Sequence, residues 1–142
     1  MKKLFKTFAA VALIGSISFL SSCDKVCDEG YEGDDCKTQI RAKFLGAWQG
    51  PETCTVGSDN YTLTIAASST DVLKITLTNV YGSSFVATAT VSGSSFTVAN
   101  QNVGATVNVQ GSGSVNGNAL TFTYTINDGT NSNSCTFNGT KL

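Results

Sequence analysis

From Tyr61 to Ile126 apolar and hydroxyl-bearing residues recur with period two. Tyr61, Leu63 and Ile65 interleave with Thr62 and Thr64, and Leu73, Ile75 and Leu77 with Lys74, Thr76 and Thr78. Phe85, Ala87, Ala89 and Val91 share a parity opposite to Val86, Thr88 and Thr90. Phe96 and Val98, then Val107 and Val109, continue the pattern, and Leu120, Phe122, Tyr124 and Ile126 alternate with Thr121, Thr123 and Thr125. Successive side chains of a strand point to opposite faces, so this pattern specifies antiparallel strands with one dry and one wet side. Threonine suits the wet side, because its branched Cβ favours the pleat while its hydroxyl meets water.

Turn-forming residues punctuate the runs about every ten positions, as in a sandwich or barrel. They include Gly57-Ser58-Asp59-Asn60, Ser68-Ser69-Thr70-Asp71, Tyr81-Gly82, Ser92-Gly93, Gly111-Ser112-Gly113, Asn116-Gly117 and Asp128-Gly129. The expected strands span 46–55, 60–67, 72–80, 84–92, 95–102, 105–111, 118–127 and 133–141. Val91-Ser92-Gly93-Ser94-Ser95-Phe96-Thr97 is echoed by Val115-Asn116-Gly117-Asn118-Ala119-Leu120-Thr121, which reads as two hairpins with the same turn chemistry. Consecutive strands tend to be neighbours, and a meander of about eight loses its exposed edges most simply by closing on itself. The expected fold is therefore all-β, a small antiparallel up-and-down barrel, with a β-sandwich as the alternative.

Charge is sparse. From Phe44 onward the charged residues are Glu52, Asp59, Asp71, Lys74, Asp128 and Lys141 alone, against 12 Ser, 17 Thr and 11 Asn. Beyond residue 22 the chain carries six basic and ten acidic residues, a balance that argues against nucleic acid, which requires a basic stripe. Histidine is missing from the sequence, and with it His-based acid/base catalysis, Ser-His and Cys-His nucleophiles and His-ligated metals. The four acids of the β region are scattered and no pair is spaced for acid/base work. Lys74 lacks a Ser-x-x-Lys context, and no glycine-rich loop precedes a helix to cradle phosphate. No catalytic residue, metal ligand or cofactor is expected.

Met1–Phe8 is basic, and Phe8–Leu20 is apolar apart from Gly15, Ser16 and Ser18, the build of a secretory leader. The apolar run is shorter than the roughly 20 residues needed to cross a bilayer. Leu20-Ser21-Ser22-Cys23 resembles the lipobox of bacterial lipoproteins. That resemblance implies cleavage before Cys23, a diacylglycerol on its thiol and an acylated amine, several chains together giving a firm anchor. It divides the chain into a signal peptide (1–22), a lipid anchor and tether (23–43) and a β-barrel domain (44–142). The implied location is the bacterial cell envelope, on the outer membrane.

Five cysteines is an odd count, and lipidation of Cys23 explains the odd one. Cys27, Cys36, Cys54 and Cys135 remain, in a chain expected to pass an oxidising compartment, so two disulfides are expected with three pairings open. Their spacings, eight, 17 and 80 intervening residues, do not make a zinc motif. Should first and last strands pair, Cys54 and Cys135 can meet and close a loop of about 80 residues, worth roughly 4.5 kcal/mol. The segment Cys27-x-x-Gly30-Tyr31-x4-Cys36 is similar to the last loop of an EGF-like module, which implies a Cys27–Cys36 bond. Around it lie Asp24, Asp28, Glu29, Glu32, Asp34 and Asp35, without the ligand pattern of an EF-hand, so they read as a solvated cluster.

Ile40 and Phe44 lie four apart in Lys37–Leu45, consistent with one or two helical turns that bury both. Gly46-Ala47-Trp48, following this lead-in, resembles the Gly-x-Trp signature of lipocalin-like (calycin) barrels. The resemblance implies that Trp48 plugs the closed end under a basic side chain of the last strand, for which Lys141 stands where the family usually has arginine. It also implies that Trp48, Phe85, Phe96, Phe122, Tyr124 and Phe137 line a ligand cavity or fill the core, since an eight-stranded barrel can do either. The expected function is a non-catalytic interaction or structural module held to a membrane through Cys23, meeting protein or glycan. The alternative is a carrier or sensor of a small hydrophobic ligand.

Overall fold

A computed structural model describes residues 26–142; the leader and Cys23 lie outside the described residues. Two short strands, β1 (Tyr31–Glu32) and β2 (Thr38–Gln39), pair antiparallel and lead into a 3-10 turn, Ile40–Lys43. Eight strands follow: β3 (Gly46–Cys54), β4 (Ser58–Ala67), β5 (Lys74–Val80), β6 (Phe85–Ser92), β7 (Ser95–Asn102), β8 (Asn108–Asn116), β9 (Ala119–Asn127) and β10 (Ser132–Lys141). Each pairs antiparallel with its neighbour in sequence, and β10 pairs with β3, so the sheet is a closed barrel. The sandwich alternative is thereby excluded. Among the described residues no helix is long and apolar enough to cross a membrane.

The alternation becomes the inside and outside of the barrel. Ile75 and Leu77, Ala87, Ala89 and Val91, and Leu120, Phe122, Tyr124 and Ile126 are buried, while the threonines between them on β6 and the first threonines of β9 are exposed. One end is closed. There the 3-10 turn brings Phe44 into full burial and leaves Ile40 half-buried, so the pair is covered by a single turn. Arg41 Nη1 donates to the carbonyl oxygens of Ser68 at 2.7 Å and Asp71 at 2.8 Å, fastening the β4–β5 turn to the N-terminal segment. Ile40 N–H donates to the Gly30 carbonyl at 2.9 Å, so the disulfide loop is tied to the same end. The β3–β4, β5–β6, β7–β8 and β9–β10 turns surround the other end, the mouth.

The two echoed segments are the β6–β7 and β8–β9 hairpins, whose two-residue turns begin at Gly93 (φ 56) and Gly117 (φ 57). Both glycines take the left-handed backbone that tight hairpins demand. One strand carries an irregularity and one strand expectation needs correction. On β5 the register shifts between Thr78 and Val80, and Asn79 turns to φ 70, so Val80 rather than Asn79 enters the core.

The correction concerns Gly111-Ser112-Gly113, which is not a turn but the middle of β8, opposite Tyr124 and Phe122. The strand expected at 105–111 runs Asn108–Asn116 instead. These glycines are spacers between Val109 and Val115 on the inner face. A Cβ on Gly113 would overlap the Phe96 ring and lie 2.8 Å from the Thr121 carbonyl oxygen; one on Gly111 would lie 2.5 Å from the Tyr124 Cβ. Large rings from β7 and β9 occupy the space that β8 leaves vacant.

Overfilling a packed core costs about 1–3 kcal/mol. Gly113→Ala is therefore expected to lower stability by about that amount, and Ser114→Ala, on the exposed face one residue away, by less than about 0.5 kcal/mol. Urea unfolding of both variants measures the difference; equal midpoints would refute the spacer role.

Candidate functional site

Five of the six aromatic residues singled out from the sequence lie inside the barrel. Trp48 is wholly buried at the closed end, where its Nε1 donates to the Phe44 carbonyl at 2.7 Å. Lys141 Nζ stands 5.2 Å from the centre of the Trp48 ring and donates to the Lys43 carbonyl at 3.4 Å. That height is within reach of a cation–π interaction. Phe44, Phe96, Phe122 and Tyr124 form a continuous run of rings, with successive centroids 5.7, 5.4 and 4.5 Å apart. Phe137 packs on Tyr61 at 4.9 Å. These side chains fill the interior. Phe85 alone is set apart, half-buried at the mouth.

The disulfides join Cys27 to Cys36 and Cys54 to Cys135. The second lies across the seam, where Cys54 and Cys135 are direct ladder partners of β3 and β10.

Beside that bridge sits one of the scattered acids of the β region. Glu52 is 2% exposed, the buried polar or charged residue of the described chain. It shares the inward parity of Trp48 and Cys54, and that parity was the available signal. The hydroxyls of Tyr61, at 2.7 Å, and Tyr124 both donate to its Oε1. Burial, and then the neighbouring Glu52, push both tyrosine hydroxyls well above the ordinary tyrosine range, so they remain donors. A Glu52 carboxylate oxygen and the sulfurs of Cys54 and Cys135 lie within 4.8 Å of one another. Both sulfurs are committed to the disulfide and offer no thiolate, so the trio is not a metal-ligand set.

Two connected recesses open at the mouth. A cleft of about 550 Å³ is lined by Val56, Tyr81, Phe85, Val107 and Ile126, with Asp128, Asn131 and Asn133 on its rim. A pocket of about 300 Å³ is lined by Glu52, Cys54, Val56, Asp59, Tyr81 and Gly82. Val56, Tyr81 and Ser83 belong to both. Tyr81 is held between them: its backbone adopts φ 61 in the β5–β6 turn, and Asn133 Nδ2 donates to its hydroxyl at 3.0 Å. Asn79 fastens the same turn, donating through Nδ2 to the Thr62 carbonyl and accepting from Ser84 N–H.

The mouth carries acids alone, whereas at the closed end Asp28, Glu29, Glu32, Asp34, Asp35 and Asp71 accompany the bases. The bases of the described chain, Lys37, Arg41, Lys43, Lys74 and Lys141, all belong to the closed end. So do the ion pairs Lys43–Glu32 and Lys74–Asp71. The mouth carries Glu52, Asp59 and Asp128. Backbone N–H groups of Asn131 and Thr130 donate to the Asp128 carboxylate and hold it below the ordinary aspartate range. No family model matches the chain, and comparisons with curated proteins and with solved structures return no match either.

The raised tyrosines carry a sign. Their contribution to stability is complete below the unfolded tyrosine value of about 10 and is lost as pH rises beyond it. A near-ultraviolet absorbance titration is expected to show two of the four tyrosines ionising only as the barrel unfolds. Tyr124→Phe is expected to remove one late-ionising group and to cost about 1–3 kcal/mol by depriving Glu52 of a donor. Ionisation of every tyrosine in the folded chain would contradict this account.

Proposed function

We propose that the protein is an exported bacterial lipoprotein, anchored through lipid on Cys23, whose β-barrel is a non-catalytic interaction or structural module. The observation that carries this reading is the filled interior: rings of Trp48, Phe96, Phe122, Tyr124 and Phe137 stand where an enclosed ligand would otherwise sit. Recognition then falls to the outer surface and the mouth. Two disulfides fit a chain that folds in an oxidising compartment. The leader and Leu20-Ser21-Ser22-Cys23 support export and lipidation.

A lipocalin-like identity for the barrel is part of the proposal, supported by Gly46-Ala47-Trp48 and by Lys141 over the Trp48 ring. An EGF-like origin of the Cys27–Cys36 loop is a further part, supported by its glycine and aromatic spacing. The carrier reading is favoured by one feature, the apolar floor of the mouth cleft. In that reading the ligand occupies the mouth, not the barrel axis.

Intact-mass analysis of the chain extracted from cell envelopes is expected to show residues 23–142 with diacylglycerol and an added acyl chain on Cys23. Cys23→Ala is expected to abolish the modification and move the protein from the membrane to the soluble fraction. Retention of the variant in the membrane would refute the anchor.

A further inference from the structure

We infer that the mouth of the barrel binds a small amphipathic organic cation, its ammonium group against Glu52 and Asp59 and its apolar part along the cleft over Phe85. This goes beyond the tethered-module reading and does not depend on the anchor.

Glu52 and Asp59 are direct ladder partners of β3 and β4, so their side chains share one face of the sheet. Like charges directly opposed across a ladder are destabilising unless a counter-charge intervenes. Asp59 leans inward: its Oδ2 lies 3.0 Å from where a Cβ of Gly82 would stand, and the missing side chain gives it room. Glu52 is nine-tenths buried and more, and both tyrosine hydroxyls are spent on one of its oxygens. Its other oxygen accepts nothing among the described residues, yet no side-chain oxygen sealed from solvent is left unbonded. The free oxygen must therefore face the pocket that Glu52 lines.

Glu52 has two neutral donors but no counter-charge, because every charge flanking it at this end is negative. The five bases that could serve are committed to the opposite end of the barrel. The missing charge must come from outside.

The shape of the site selects the kind of cation. Tyr81 lines both the acidic pocket and the apolar cleft, so an aromatic side chain stands where the charged and apolar parts of such a ligand would join. Val56, 76% exposed, together with Phe85, Val107 and Ile126 extends the apolar surface away from Glu52. A bare metal ion would leave that surface unused, and a neutral hydrophobe would leave the carboxylates unpaired. An alkyl- or arylammonium compound satisfies both.

Calorimetric titration of the full chain, purified as the cell processes it and held in zwitterionic nanodiscs, tests this with hexylammonium as probe. Hexanol, hexanoate and calcium alone serve as comparisons. Hexylammonium is expected to bind at least about tenfold more tightly than hexanol or hexanoate, the worth of one charge-assisted contact. E52Q keeps an acceptor for both tyrosines and is expected to lose about tenfold in hexylammonium affinity, with D59N losing less. Phe85→Ala, outside the carboxylate cluster, is expected to abolish the gain in affinity from propylammonium to hexylammonium. Equal binding of hexanol, unchanged binding in E52Q and D59N, or saturation by calcium at lower concentration than by hexylammonium would each overturn the proposal. None of these outcomes touches the Cys23→Ala fractionation, so the two readings fail separately.

Discussion

Closure of β10 onto β3 is the constraint on which the remaining structure depends. An eight-stranded meander left open would expose the backbone of its first and last strands, and such edges recruit other chains. Closing it satisfies both edges at once, and it also fixes a small interior whose volume every inward side chain must share. The Cys54–Cys135 bridge sits on this seam between residues 81 apart in sequence, so it restricts the unfolded chain across nearly the whole barrel. At the other end of the same seam Lys141 is the ladder partner of Trp48. Covalent bond and plug thus hold opposite ends of one strand pair.

A fixed interior turns side-chain size into a matter of balance between strands. β9 contributes Leu120, Phe122, Tyr124 and Ile126, and β7 contributes Phe96. β8, between them, contributes two valines and two glycines on its inner face. Large residues facing small ones is how a barrel of this size reaches native density. With rings filling the axis, the recesses around Phe85 and Glu52 lie at the mouth, and there the chain departs from an apolar lining by burying Glu52.

Much of this could be read from the chain because period two is a local property. Eight strand segments, their dry faces and the pairing of Cys54 with Cys135 all follow from parity and from the preference of a meander for closure. What escaped was set by tertiary volume. Gly111 and Gly113 carry ordinary turn chemistry, and only the neighbouring rings make them spacers within a strand. Asn79 looks like one more residue of β5 until the bulge places Val80 in the core. Glu52 is the instructive case. Its parity with Trp48 and Cys54 put it on the dry face, but charge argued for solvent, and the tyrosines that resolve the conflict lie nine and 72 residues away. Burial of an acid is legible in sequence only when its partners are known, and partners across a barrel are a product of topology.

The two ends of the barrel differ in chemistry in a way that bears on orientation at a membrane. The disulfide loop packs at the closed end, with Gly30 against Val72 of the β4–β5 turn and Cys27 in a recess bounded by Thr90 and Gly93. Cys23 precedes Val26 by three residues, a reach of at most about 11 Å. In the proposed anchored arrangement so short a tether holds the closed end toward the lipid headgroups. That end carries five bases and six acids among the described residues, so its charges nearly balance beside the headgroups. The acidic mouth is turned outward, away from that surface. A site that draws in cations gains from this geometry, because the ligand reaches the mouth directly from solution, and Glu52 and Asp59 stay clear of like charge on the bilayer. A mouth that carries acids alone and attachment at the closed end thus favour the same orientation.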